Sequence, residues 1–125
     1  MVNNPATAYK RGRQFEYRVK KDMGERGYLV LRSPASKSKV DLYCIRRGEL
    51  VFIQCKLHGQ IGVEEWNEFL GTCRKVDALP IIAENVNGKI LYSEITAEKD
   101  GTKRRQPKRE WIPPQLEETD GTNTD

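Results

Sequence analysis

The stretch from Val40 to Leu57, VDLYCIRRGELVFIQCKL, constrains the fold more than any other part of the chain. Two β-rich runs, Val40 to Ile45 and Leu50 to Leu57, flank the turn-like Arg46-Arg47-Gly48-Glu49. A two-residue turn on Arg47-Gly48 pairs Arg46 with Glu49 and carries the same register outward, so that Asp41 falls opposite Gln54. Leu42, Cys44, Val51, Ile53 and Cys55 then gather on one face. Tyr43, Ile45 and Phe52 lie on the other, with Asp41, Gln54 and Lys56. Strands apolar on both faces belong to a sheet covered on both sides.

The flanking segments supply the cover. From Tyr9 to Arg26 the residues Phe15, Val19 and Met23 recur every fourth position, which predicts a helix with Gly27 as its stop. Tyr28 to Leu31 reads as a short strand, and Arg32 to Lys39 as a polar loop. Val63, Trp66, Leu70 and Cys73 recur at helical spacing, so Val63 to Val76 is a second amphipathic helix. Pro80 to Ala83 and Lys89 to Ile95 read as two further strands around a turn at Asn85 to Gly88. The order α-β-β-β-α-β-β gives an α/β fold: a mixed central β-sheet flanked by helices. At 125 residues the chain has room for one modest core. We expect a domain over residues 1–97 and a flexible arm over 98–125, basic then acidic, with one ordered piece near Trp111.

Charge narrows the class of partner. Residues 1–40 carry ten Lys/Arg against three Asp/Glu, whereas residues 41–102 carry seven against ten. A basic leading segment suits a polyanion, and a solvated charged face explains it equally well. No apolar run is long enough to span a bilayer, and the N-terminal MVNNPATAYK lacks the apolar stretch of a secretory signal, so the expected location is the cytoplasm. Cys44, Cys55 and Cys73 show no CxxC spacing and His58 is the single histidine, which argues against a disulfide framework and a zinc site.

Against the apolar hairpin, Asp41, Gln54 and Lys56 stand out. A carboxylate, an amide and an ammonium at one end of a buried hairpin need each other, a metal or a substrate. Mg²⁺ takes oxygen ligands, commonly one or two carboxylates completed by waters and phosphate oxygens. Asp41 offers a carboxylate, Gln54 an amide oxygen, and the backbone carbonyl of Cys55 lies between them. Lys56 can orient or deprotonate a water, or stabilise charge on a phosphate. A buried Asp–Lys ion pair that satisfies itself is the competing reading.

Val40-Asp41 followed by Gln54-Cys55-Lys56 resembles the PD-(D/E)xK nuclease motif. Arg11-Gly12 with Glu16 in the first helix points to the archaeal-type Holliday junction resolvases and their phage relatives. So do the run Leu31-Arg32-Ser33 to Val40-Asp41-Leu42, the pair Arg74-Lys75 and the strand Leu79 to Ala83. The likeness covers roughly residues 10–95. It implies a restriction-endonuclease-like fold and a dimeric, Mg²⁺-dependent nuclease, with Mn²⁺ as an alternative metal. That enzyme nicks opposite strands of a four-way or otherwise branched DNA and needs no small-molecule cofactor. Carried over by position, Asp41 and Gln54 hold metal, Lys56 is catalytic, and Glu16 reaches the site as a metal-linked carboxylate. Arg32 and Ser33 or Ser36 contact the phosphate near the cut, and Arg11, Arg13, Lys37 and Lys39 are further phosphate contacts.

One departure stands out: the family usually carries Glu where this chain has Gln54, which keeps an oxygen ligand and removes a negative charge. Two other roles fit the same residues. One is a nuclease of the same superfamily acting on other branched or duplex DNA; the other is a non-catalytic DNA-binding module that kept the fold. Glu16 could also be the i,i+4 partner of Lys20, and Trp66 and Phe69 could be core or dimer interface.

Overall fold

The structure, a computed structural model, describes residues 5–34, 38–58, 60–103 and 105–115. Helix α1 (Pro5–Glu25) leads into β1 (Leu29–Arg32), β2 (Leu42–Arg46) and β3 (Glu49–Lys56). Helix α2 (Val63–Lys75), β4 (Leu79–Val86), β5 (Lys89–Ile95) and β6 (Lys108–Glu110) follow. The six strands form one sheet in chain order. Every neighbouring pair is antiparallel except β3 and β4, which are parallel and joined by α2 as crossover helix.

Two apolar layers sandwich the sheet. Phe15, Val19 and Met23 of α1 pack on Leu42, Cys44, Val51, Ile53, Ile81 and Ala83. Trp66, Phe69, Leu70 and Cys73 of α2 pack on Phe52, Ile82 and Ile95. Successive residues of β3 and β4 alternate between the two layers, as the pleat requires. Trp66 and Phe69 are thus core, with no exposed surface. Cys44 and Cys73 are buried and Cys55 half-buried, and none forms a disulfide; burial pushes the Cys44 and Cys73 thiols up to about 12.

The hairpin register is the expected one from Arg46↔Glu49 to Leu42↔Ile53. Its turn puts Arg47 at φ 48° and Gly48 at φ 82°, a conformation that matches the twist of the flanking strands and costs a glycine nothing. The register breaks at Asp41. The Asp41 N–H donates to the Ile53 carbonyl at 2.9 Å, one residue out of step with the ladder. The chain bends there, so β2 starts at Leu42 and not at Val40. Val40 consequently joins the α2-side core, although strict alternation would put it with Leu42 on the α1 side.

The expected strand order holds through β5, and the C-terminal part differs. Residues 105–115 are not a loose arm: Lys108–Glu110 pairs with β5 as a sixth strand, so the sheet extends past residue 97. The Trp111 ring meets Tyr92 edge to face with centroids 6.0 Å apart, and its N–H donates to the Tyr92 carbonyl at 2.9 Å. Arg26 donates to the Pro113 carbonyl at 2.9 Å and Arg46 to the Pro114 carbonyl at 3.2 Å. Lys108 pairs with Glu84 at 2.7 Å and Arg109 with Glu94 at 3.3 Å, so these two basic residues brace the sheet edge. Residues 116–125 lie outside the described residues. Trp111→Ala should therefore lower the free energy of unfolding by about 1–3 kcal/mol, the range for losing a packed side chain. Urea unfolding measures this, and an unchanged midpoint would return the segment to the status of a loose arm.

Candidate active site

The polar residues of the hairpin lie at the end of the sheet away from the β2–β3 turn, Asp41 in the lining of a cavity and Gln54 and Lys56 outside that lining. Asp41 is stapled on both sides by its backbone. Its carbonyl accepts from Ser33 N–H at 2.9 Å and its N–H donates to Ile53. The Asp41 Oδ2 accepts from Cys55 N–H at 2.7 Å. The carboxylate therefore closes over the end of β3, one residue from Gln54 and one from Lys56. It arrives there by the bend and not by the flat cross-strand pair with Gln54 that the sequence predicts.

Glu16 approaches from α1. Its Oε1 accepts from Arg32 Nε at 3.1 Å, and the two side chains are 23 % and 42 % exposed. The competing i,i+4 pair of Glu16 with Lys20 is not formed among the described residues. A cavity of about 360 Å³ opens here, lined by Arg13, Glu16, Arg32, Ser33, Ser38 and Asp41 with Tyr9 and Val40. The expected phosphate contacts Arg13, Arg32 and Ser33 thus share one concavity with Asp41. A larger cavity, about 480 Å³, lies at the opposite end of the sheet beside Tyr28, Glu49 and Trp111, and holds none of the predicted site residues.

Gln54 lies on the α2 side. It is only 4 % exposed. Its Nε2 donates to Glu65 Oε2 of α2 at 2.5 Å, and its Oε1 is buried with no hydrogen-bond partner. An orphaned buried acceptor is uncommon in folded proteins and is open to a water or a ligand; Asn85 Oδ1 is a second one among the described residues. Lys56 is half-buried and, among the described residues, has no hydrogen bond or ion pair; it does not pair with Asp41, so the self-satisfying ion pair is not formed.

Electrostatics single out Asp41. Its carboxyl is pushed up to about 6, first by burial and then by the like charges of Glu16 and Glu65; the Cys55 N–H and the Arg32 guanidinium pull the other way. An ionised acid held against that burden favours a cation. Among the described residues no group of three or more His, Cys, Asp or Glu side chains could by itself hold a metal ion. The donor set fits a hard cation instead: one carboxylate, an unpartnered amide oxygen, a backbone carbonyl, and open positions for water and phosphate oxygens.

The remaining predicted residues are spread along the approach. Arg13 donates to the Tyr9 hydroxyl at 2.9 Å and stacks over its ring at 5.7 Å. Arg11 and Lys39 are exposed, as is His58. Ser36 and Lys37 lie outside the described residues. Sequence reasoning missed two residues. Ser38 lines the cavity and its Oγ accepts from Val40 N–H at 3.0 Å. Glu65 carries a signal that could have been used: it is an acid in the first turn of α2, the element that directly follows Lys56.

Known proteins resemble this chain in sequence and in fold. A family model described as "Archaeal holliday junction resolvase (hjc)" matches residues 7–102. The curated "Crossover junction endodeoxyribonuclease Hjc" of Methanocaldococcus jannaschii is 30 % identical over 88 residues. That match covers 67 % of this chain and 65 % of the relative, so the chain spans just under two thirds of its length. The crystal structure of Archaeoglobus fulgidus Hjc, a Holliday junction resolvase from an archaeal hyperthermophile, shares the fold with a TM-score of 0.59. It does so at 15 % identity over 74 % of this chain and 85 % of that one.

The raised pKa of Asp41 has a direct consequence for stability. Between 3.8 and about 6 the folded state holds a proton that the unfolded state has released, so Asp41 costs stability as pH rises through that window. Asp41→Asn should accordingly stabilise the metal-free protein at about pH 7, by on the order of 2 kcal/mol relative to its effect near pH 4. Denaturant unfolding of both proteins at the two pH values checks this; a difference that does not change with pH would mean the carboxylate is solvated.

Proposed function

The chain belongs to the archaeal Holliday junction resolvase family, and from that premise we propose that it is a metal-dependent endodeoxyribonuclease that resolves four-way DNA junctions by paired, symmetric nicks. The observation that carries this reading is the buried, unpartnered Oε1 of Gln54 on the strand whose Cys55 N–H binds the Asp41 carboxylate. At a cation site that acceptor is available as a ligand. Mg²⁺, or Mn²⁺ in its place, would be held by Asp41, Gln54 Oε1 and the backbone carbonyl of Cys55, with Glu16 linked to it as an outer carboxylate. When bound, the cation supplies Lewis acidity at the phosphate and lowers the pKa of water.

The chain's own residues do the rest. Lys56 has an uncommitted ammonium next to Gln54, suited to hydrogen-bond the attacking water or the charge that builds on the phosphate oxygens. Arg32 is tied to Glu16 through a single Nε contact on a half-exposed pair, so part of its guanidinium is free for a phosphate. Arg13 and Ser33 flank the same cavity and would fix the backbone of the strand to be cut. Arg11 and Lys39, with Ser36 and Lys37 of the loop, would extend this contact along the DNA. Two nicks at symmetric positions need two such sites, which a homodimer with a twofold axis supplies. No described helix is long and apolar enough to cross a membrane; a DNA substrate and three unoxidised cysteines support a cytoplasmic site of action.

Lys56→Ala and Asp41→Asn should each lower Mg²⁺-dependent cleavage of a synthetic four-way junction by roughly 10²-fold or more while junction binding without metal is retained. Strand-resolved product mapping should give paired nicks at symmetric positions in the parent protein. Undiminished cleavage by either variant removes the assigned chemistry, and unpaired cuts remove the junction specificity.

A further inference from the structure

Position 54 presents a puzzle of charge and of orientation. A glutamine there keeps an oxygen but removes a negative charge from a site that must attract a divalent cation. Its amide is also two-ended, and only the carbonyl oxygen can bind metal; the NH₂ end repels it. Some neighbour must decide which end faces the site. Glu65 is the only described residue bonded to the Gln54 side chain. A carboxylate accepts hydrogen bonds and donates none, so it captures the NH₂ end and leaves Oε1 unpartnered and buried.

We propose that Glu65 is a positioning residue of the metal site, holding the Gln54 amide with its carbonyl oxygen toward the cation and returning to the site the negative charge that a glutamine lacks. This rests on the metal-dependent reading above. The charge sits against the amide: Glu65 Oε2 lies 2.5 Å from Gln54 Nε2. Helix α2 fixes Glu65 because the next residue, Trp66, is fully buried and anchored by its indole N–H to the Ala97 carbonyl at 3.0 Å. Asp41 and Glu16 serve the site from the α1 side and Glu65 from the α2 side, so the two layers that cover the sheet each deliver a carboxylate to the end of β3. Helix α2 also supplies an internal control. Glu64 shares its first turn, where an acid favours the helix dipole, and is exposed with no described contact to Gln54. A role for Glu65 that is only helix-stabilising would be shared by Glu64.

Calorimetric titration of the DNA-free protein with Mn²⁺ separates these roles without relying on activity. Glu65→Gln removes the charge and lets the amide turn, and should weaken Mn²⁺ binding by about 10–100-fold, as loss of an outer-shell partner does. Glu64→Gln should leave it unchanged. The exchange Gln54→Glu with Glu65→Gln moves the carboxylate to position 54 and reverses the hydrogen bond, and should recover binding to near the parent level. The exchange keeps the contact intact, so it reports even if Glu65→Gln alone folds poorly. Parental Mn²⁺ affinity in Glu65→Gln, or no recovery in the exchange, overturns the assignment of Glu65. If the parent protein itself binds no Mn²⁺, the metal-dependent reading fails and takes this inference with it.

Discussion

The hydrogen bond from the Cys55 N–H to the Asp41 carboxylate is the contact on which the polar end of the sheet depends. At 2.7 Å it closes the bend that interrupts β2 and carries the carboxylate over the end of β3. Without the bend, Asp41 would continue the alternation and Val40 would point into the α1-side core. With it, Val40 fills the α2-side core while Asp41 turns toward the cavity that holds Glu16 and Arg32. A single break in register thus changes the neighbours of two residues at once, because the side-chain period of a strand is two and any slip reverses the faces. The arrangement is held from both sides by backbone hydrogen bonds to Ser33 and Ile53, which keep a half-buried carboxylate in place despite its partial desolvation.

The architecture around this point follows from local rules and was legible for that reason. The Arg47-Gly48 turn sets a register that any reader can count outward, and the apolar residues on both faces of β2 and β3 announce two covering layers. The helical spacing of Phe15, Val19 and Met23, and of Trp66, Leu70 and Cys73, names the elements that do the covering. Membership in the resolvase family was legible as well, because Asp41, Lys56 and the Leu31–Leu42 run keep a spacing that one hairpin enforces.

What the sequence hid is what distant segments decide together. Nothing near Asp41 announces a bend, since its cause is a backbone N–H fourteen residues away. Strand β6 is three residues of Lys, Arg and Glu, with no apolar alternation; its order comes from partners on β4 and β5, Glu84 and Glu94, and from Trp111 lodging against Tyr92. Composition reads such a segment as a solvated arm, because charge is counted along the chain and not across the sheet. Glu65 was hidden in the same way: its acid is ordinary for the first turn of a helix, and only the 2.5 Å contact with Gln54 distinguishes it from Glu64.

The charge pattern of the fold gives metal and DNA separate tasks. Basic residues of α1 and β1, Arg13 and Arg32 among them, border the cavity that Glu16 and Asp41 also line, and on the proposed reading the carboxylates of Glu16, Asp41 and Glu65 lie near the scissile phosphate. Attraction along the approach and repulsion at its end oppose each other, and the range of each decides the outcome. Contacts with several phosphates of the backbone add over a Debye length of about 8–10 Å, whereas the acidic centre meets one phosphate. On the proposed reading the basic surface is therefore sufficient to hold DNA, and the cation is required only to let one phosphate approach the acids. Replacing a glutamate by Gln54 lessens that final repulsion at the cost of cation affinity. On that reading Glu65, bonded to the far end of the amide, keeps a negative charge near the metal.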